Sequence, residues 1–197
     1  MALSVLTYLQ QHSPDELIPA RPAPVAVTRA DVVSPELNRF LYTAVGGHWH
    51  WIGKLGWNWD QWVDWLSRPG FETYVPWAGG VPAGYVAMRG AGSEVEIENF
   101  GLLRGFIGRG LGGHLLTVGL RNAWTLHERH ESVDPITRVW VNTNTLDGPA
   151  ALANYQARGL KPYKTVEEER PDGDGPSPGP WPGWSGPPGV VREVPAG

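Results

Sequence analysis

Glu94-Val95-Glu96-Ile97-Glu98-Asn99-Phe100-Gly101-Leu102-Leu103, continued by Arg104 to Gly113 and an apolar-periodic run to Trp124, decides how this chain folds. Val95 and Ile97 alternate with Glu94, Glu96 and Glu98, the period-two pattern of a strand with one buried face and one face of three carboxylates. Gly108-Arg109-Gly110-Leu111-Gly112-Gly113 then removes side chains where the backbone must turn sharply and where a ligand can approach the amides. From Leu111 onward, Leu115, Leu116, Gly119, Leu120, Ala123 and Trp124 recur at helical spacing. The stretch reads as strand, glycine turn and helix. The unpaired N–H groups and positive dipole end of such a helix start favour phosphate.

Three other readings compete for the glycines. Gly108-x-Gly110-x-x-Gly113 matches a dinucleotide fingerprint, but that fold needs a buried parallel strand before it and an acidic residue about 20 positions on, at the end of the next strand. Here the strand is half polar and the next one ends near Asn142. No Gly-Lys-Ser/Thr follows, which excludes a P-loop. A glycine turn that only joins strand to helix stays open at this point.

A second constellation lies downstream. Arg138-Val139-Trp140-Val141-Asn142-Thr143-Asn144 reads as a strand, Asp147 as an N-cap with Pro149 in the first turn, Ala150 to Tyr155 as a helix, and Gly159-Leu160 as its end. Together the two constellations resemble the GNAT N-acetyltransferase superfamily, over roughly residues 25–166. Ile107-Gly108-Arg109-Gly110-Leu111-Gly112 is similar to its pyrophosphate-binding Arg/Gln-x-x-Gly-x-Gly/Ala motif, departing at Ile107, which offers no polar side chain. The Ala-rich helix with Tyr155 four residues before Gly159 is similar to its second motif, where a tyrosine sits beside the coenzyme sulfur.

The resemblance implies an α/β (α+β) fold: a mixed, mostly antiparallel sheet of six or seven strands flanked by about four helices. It implies acetyl-CoA as co-substrate, with Gly108, Arg109, Gly110, Leu111, Gly112, Gly113 and Asn144 as coenzyme contacts and a main-chain N–H near Leu102 or Leu103 for the thioester carbonyl. Glu96 is then the candidate base, with Glu98 in reserve, and Tyr155 the candidate acid. Three like charges on one strand face raise one another's pKa, the direction a base needs, although a solvated strand face explains them equally well. A phenol is protonated at neutral pH and can hand a proton to a thiolate, although it can also merely anchor a helix.

The chain has 197 residues, enough for one ordinary domain with a real core. It has no cysteine, which excludes disulfides, thiolate metal sites and a covalent cysteine mechanism. Acetyl transfer would then go directly to the acceptor, the leading reading, or through another residue type. No apolar run approaches the length of a membrane span and no signal peptide opens the chain, so the expected location is cytoplasmic, without a membrane partner. With a net charge of −4 and dispersed Lys and Arg, nucleic acid is a poor partner and a cationic or neutral acceptor a better one. A homodimer stays open.

Taken in order, residues 1–24 read as an N-terminal arm broken by prolines, residues 25–168 as the catalytic domain and residues 169–197 as a Pro/Gly-rich tail, with Val190 to Val194 as a candidate last strand. Ser34 and Pro35 should open one helix, and Asn58 with Gln61 a second. There are 11 tryptophans, mostly in two clusters. Trp62 and Leu66 read as core, whereas His48, Trp49, Trp51, Trp57 and Trp59 sit in or beside a glycine-punctuated loop suited to an acceptor pocket. His48 and His50 lack a third ligand, and His127 and His130 read as a solvated helix end, so no metal is expected. The leading function is N-acetylation of a small amine or amino-acid derivative. A protein lysine or N-terminus as acceptor, and a non-catalytic acyl-CoA-binding module, are the alternatives.

Overall fold

The computed structural model describes residues 2–170, with side chains over residues 4–168. In chain order the elements are β1 (Ala2–Gln11), β2 (Ala26–Arg29), α1 (Pro35–Gly46), α2 (Trp59–Leu66), β3 (Phe71–Ala78), β4 (Val81–Pro82), β5 (Gly84–Leu102), α3 (Leu111–Trp124), β6 (Val133–Asn144), α4 (Ala151–Ala157) and β7 (Lys161–Arg170). The 7-stranded sheet has the order β2-β3-β5-β6-β1-β7, with β4 pairing on β3. Every pairing is antiparallel except β5 with β6. This is the mixed, mostly antiparallel α/β architecture expected above, with four α-helices among the described residues.

The 19 residues of β5 would span about 60 Å if straight, at about 3.3 Å per residue. Yet just outside its two ends the Leu103 N–H donates to the Ala83 carbonyl at 2.9 Å. The run therefore doubles back as a hairpin, turning near Gly92, whose φ of +57° suits a residue without Cβ. Its first arm pairs with β3, from Phe71 opposite Arg89 to Tyr74 opposite Val86, and its second arm pairs with β6. Alternation in the second arm sends Val95 and Ile97 into a core with Leu115, Leu116 and Leu120 of α3. The opposite face of the sheet is covered by Leu41, Tyr42 and Val45 of α1 and by Trp62, Trp65 and Leu66 of α2.

Local signals set the helix starts. The Ser34 hydroxyl accepts from the Leu37 N–H at the head of α1, and Asn58 and Gln61 form a reciprocal capping box at the head of α2. An isolated helix of α2's eight residues is unstable in water, so the burial of Trp62, Trp65 and Leu66, about 1.5–3 kcal/mol each, must hold it.

Two expectations give way here. The N-terminal arm is largely β1, an interior strand that pairs with β6 from Leu6 opposite Asn144 to Gln11 opposite Val139, and with β7 along its other edge. Neighbours on both sides let Val5, Leu6, Tyr8 and Leu9 form a nearly continuous apolar run, which hides the strand period. Asp147 does not cap α4, which begins four residues later with Ala150 at the cap position. Its carboxylate instead accepts from the Thr143 hydroxyl at 2.7 Å and the Asn144 N–H at 3.0 Å, closing the turn after β6. The candidate strand Val190 to Val194 lies outside the described residues.

Candidate active site

The parallel pairing of β5 with β6 runs as far as Ile97 opposite Val141. From there a cavity of about 950 Å³ opens, walled on one side by residues 97–102 of β5 and on the other by Val141, Asn142 and Asn144 of β6. Strands that stop pairing leave N–H and C=O groups for an extended ligand to use. Asn99 adds to this supply: it is 8 % exposed, lines the cavity, and its Oδ1 has no hydrogen-bond partner. A buried acceptor left unsatisfied costs about 1–3 kcal/mol, which a ligand N–H would recover.

The glycine corner forms one end of this cavity. Gly108 and Gly110 hold φ of +83° and +78°, and Gly110 is the N-cap residue of α3. Around both, no atom lies within 4 Å of where a Cβ would sit, so the approach to the corner is clear. Gly108, Gly112 and Gly113 line the cavity, and Gly112 and Gly113 carry first-turn amides of α3, a ready anion site. Tyr155 lines it from α4, 4 % exposed, its ring 5.7 Å from that of Phe100. Burial, and then the charge of Asp147, raise the phenol far above its ordinary value, so it stays protonated at any physiological pH.

The carboxylate face divides into three roles. Glu94 is engaged by Arg138 at 3.1 Å, and Glu98 by Arg68 at 2.6 Å. Glu96 lies half-buried between them. Burial, and then the charge of Glu98, push its carboxyl up to about 7, against the pull of Arg68, Arg89 and Lys54. Glu98 lines the cavity and Glu96 sits one step behind that wall.

The loop after α1 closes another side of the cavity, which Trp49 to Lys54 line. The Trp51 indole N–H donates to Asp147 Oδ1 at 3.1 Å across 96 positions of sequence, tying this loop to the turn after β6. The same ring lies so close to Gly46 that a Cβ there would come within 2.3 Å of it. Trp49 lies against Gly148 from the same loop. His48 meets Arg104 Nη1 at 3.3 Å, and burial, followed by the Arg104 charge, lowers its pKa.

No protein-family model matches the sequence, and no curated protein matches it. Solved structures do. A GCN5-related N-acetyltransferase from Sphaerobacter thermophilus superposes with a TM-score of 0.58 at 15% identity, over 85% of this chain and 51% of its own. A GCN5-related N-acetyltransferase from Kribbella flavida gives 0.58 at 18%, over 83% of this chain and 56% of its own. A conserved protein of unknown function from Staphylococcus epidermidis gives 0.54 at 15%, over 84% and 60%. The chain thus spans between half and two thirds of the length of these three structures. The fold is that of the GNAT superfamily.

Within this GNAT fold the residues singled out from sequence separate into two groups. Glu98, Leu102, Gly108, Gly112, Gly113, Asn144, Tyr155, Trp49 and Trp51 all line the one cavity. Arg109, Gly110, Leu111, Leu103, Glu96, His48, Trp57 and Trp59 do not border it. Leu111 is core, 6 % exposed, and the Leu103 amide is already given to Ala83, which removes it as a donor to a thioester carbonyl. Trp57 packs edge-on against Trp62 and Trp65, behind the wall. Trp59 is 60 % exposed and borders a separate groove beside Phe40. Sequence reasoning missed Tyr42, Lys54 and Asn99 of the cavity wall. Only the parity of Asn99 with Val95 and Ile97 hinted that it would point inward.

Proposed function

We propose that this cavity binds acetyl-CoA and serves the transfer of its acetyl group to the primary amine of a small molecule. The observation that supports this best is the meeting, in one cavity, of a clear glycine-lined helix start, two parted strand edges and the buried phenol of Tyr155. The residues present fit the coenzyme. First-turn amides of α3 suit the pyrophosphate, the edge at residues 98–102 suits the amide-bearing pantetheine arm, and the orphaned Oδ1 of Asn99 suits one of its N–H groups. Acetyl-CoA supplies a thioester carbonyl and a thiolate leaving group.

The chain supplies proton handling and orientation. Glu96, near neutrality, takes the proton of the acceptor ammonium through a water reaching in past Glu98, and Arg68 holds Glu98 in place beside that path. Tyr155, held protonated, gives its proton to the departing sulfur and is restored by the second proton that the acylated nitrogen sheds. The Trp51 to Asp147 tie narrows the acceptor end, which favours a small molecule over a folded protein. A binding module without catalysis draws support from the engagement of Glu98 by Arg68. Thiol release from acetyl-CoA against a panel of small amines decides between them: amine-dependent release is expected, and coenzyme binding with no release for any amine would leave only the module.

Gly112→Ala separates coenzyme binding from folding. A Cβ there would rest 3.6 Å from Leu102 and 3.7 Å from Asn154, ordinary contacts, so the fold accepts it. Ala in place of Gly favours a helix by up to about 1 kcal/mol, and the first turn should gain part of that. The same methyl would stand where the coenzyme must reach the amides. The variant should melt slightly higher than the parent yet bind CoA at least about tenfold more weakly, in the range of one lost charge-assisted hydrogen bond. Unchanged affinity would move the pyrophosphate away from this corner.

A further inference from the structure

We infer that Lys54 holds an anionic group of the acceptor, so that the acceptor is an amine with a carboxylate a few atoms from its nitrogen, an amino acid or a close relative. This deepens the transferase reading and rests on it for the reaction, though not for the binding of the carboxylate.

Lys54 stands on the loop between Gly53 and Gly56 and lines the cavity. Its ammonium enters a box of three rings, 5.2 Å from the centroid of Tyr42, 5.4 Å from Trp57 and 4.6 Å from Trp65. Ring faces attract a cation, but they satisfy an ammonium poorly, because it carries three donors that seek lone pairs. The two carboxylates that act on Lys54 through charge are Glu98 and Glu96, while Arg68 opposes them. Glu98 is committed to Arg68, and among the described residues no carboxylate lies within 4.0 Å of the Lys54 nitrogen. Burial is the main reason its pKa falls below the ordinary lysine value. A half-buried cation beside a cavity, with donors left over, is an anion site waiting for its ligand.

The surroundings select the anion. One lysine beside Glu98 and Glu96 can neutralise a monoanion, whereas a phosphate dianion would keep a net negative charge facing the same carboxylates. Tyr42 and Trp51, whose ring centroids lie 5.5 Å apart, both line the cavity and offer apolar surface to the rest of the acceptor.

Calorimetric titration of the full chain with acetate, phenylacetate and indole-3-acetate tests this without requiring catalysis. At least one of the three should bind, at least about tenfold more tightly than its neutral amide, the effect of a hydrogen-bonded charge. Lys54→Met should lose that preference while melting within a few degrees of the parent, and Lys54→Arg should keep most of it. In thiol release, phenylalanine should exceed phenethylamine in kcat/KM by a similar factor, and Lys54→Met should abolish the gap. Carboxylate binding unaffected by Lys54→Met, binding of none of the three, or equal kcat/KM for the two amines in the parent each overturn the assignment. Lys54-dependent carboxylate binding without thiol release from any amine would instead overturn the transferase reading and leave this one standing.

Discussion

Glu96→Gln is expected to lower kcat about 100-fold or more, the usual size of a general-base contribution, and to remove the acid limb of the pH–rate profile. The parent's rate should rise with pH through about 7, because burial and the neighbouring Glu98 charge hold the Glu96 carboxyl there and the base must be deprotonated to act. The same shift has a consequence for stability. A carboxyl whose pKa is raised on folding favours the folded state only while it is protonated. Its contribution is present below the ordinary carboxylate range and is lost as pH climbs from about 4.5 through about 7. Glutamine, which cannot ionise, avoids that loss. The variant should therefore be more stable than the parent at pH 8, by roughly 1–3 kcal/mol, since one pKa unit corresponds to about 1.4 kcal/mol and partial solvation trims the total. An unchanged pH–rate profile would remove Glu96 from the mechanism. A variant both inactive and less stable at pH 8 would mark it as structural.

Glu72→Gln should produce the largest loss of stability. The Glu72 carboxylate is almost wholly buried and receives Arg129 in a bidentate pair at 2.9 and 3.0 Å, Arg29 at 3.0 Å, His130 at 3.1 Å and the Tyr74 hydroxyl at 2.7 Å. Burial alone would raise its pKa, but the hydrogen bonds from Arg129 and Tyr74 prevail and hold it below the ordinary value. The stability this confers is present above the ordinary carboxylate range and is lost as pH falls through the depressed pKa. Removing the charge leaves the Arg129 guanidinium without a carboxylate, while Arg29 keeps Asp31 at 2.8 Å, a loss of about 3–5 kcal/mol. At about 2–4 °C per kcal/mol for a domain of this size, the melting temperature should drop by roughly 10 °C at pH 7. The gap between variant and parent should narrow in acid. CoA affinity of the folded variant should be unchanged, because the cluster lies outside the cavity. A drop of under about 2 °C would show that the cluster is solvated in solution.

This cluster also shows what the sequence could and could not reveal. His130 read with His127 as a solvated helix end, because the carboxylate that His130 and Arg129 share sits 58 and 57 positions away on β3 and nothing local announces it. The legible features were those in which the signal and its partner are near in sequence. Ser34 and Leu37, Asn58 and Gln61, and the glycines 108 to 113 form their caps and turn within a few residues. The alternation of Val95 and Ile97 with the carboxylates placed those residues on opposite faces, as found. Which carboxylate would meet the cavity was not legible, since Arg68 and Arg138, which engage Glu98 and Glu94, arrive from distant elements. Nor was the place where β5 and β6 part, which depends on how far pairing extends beyond Ile97. The tryptophan loop divided in the same way: Trp49 and Trp51 reach the cavity because the tie to Asp147 draws them in, while Trp59, on the outer face of α2, turns to solvent.

Isothermal titration of the full chain with CoA and acetyl-CoA, alongside a thermal melt at increasing coenzyme, addresses the central claim most directly. The parted strands and the uncovered amides at the head of α3 predict one site with a dissociation constant between about 1 μM and 1 mM, the usual range for enzyme substrates, and a melting temperature that climbs with ligand. No heat and no thermal shift at about 1 mM coenzyme would contradict it, and would leave a GNAT fold whose cavity serves another ligand.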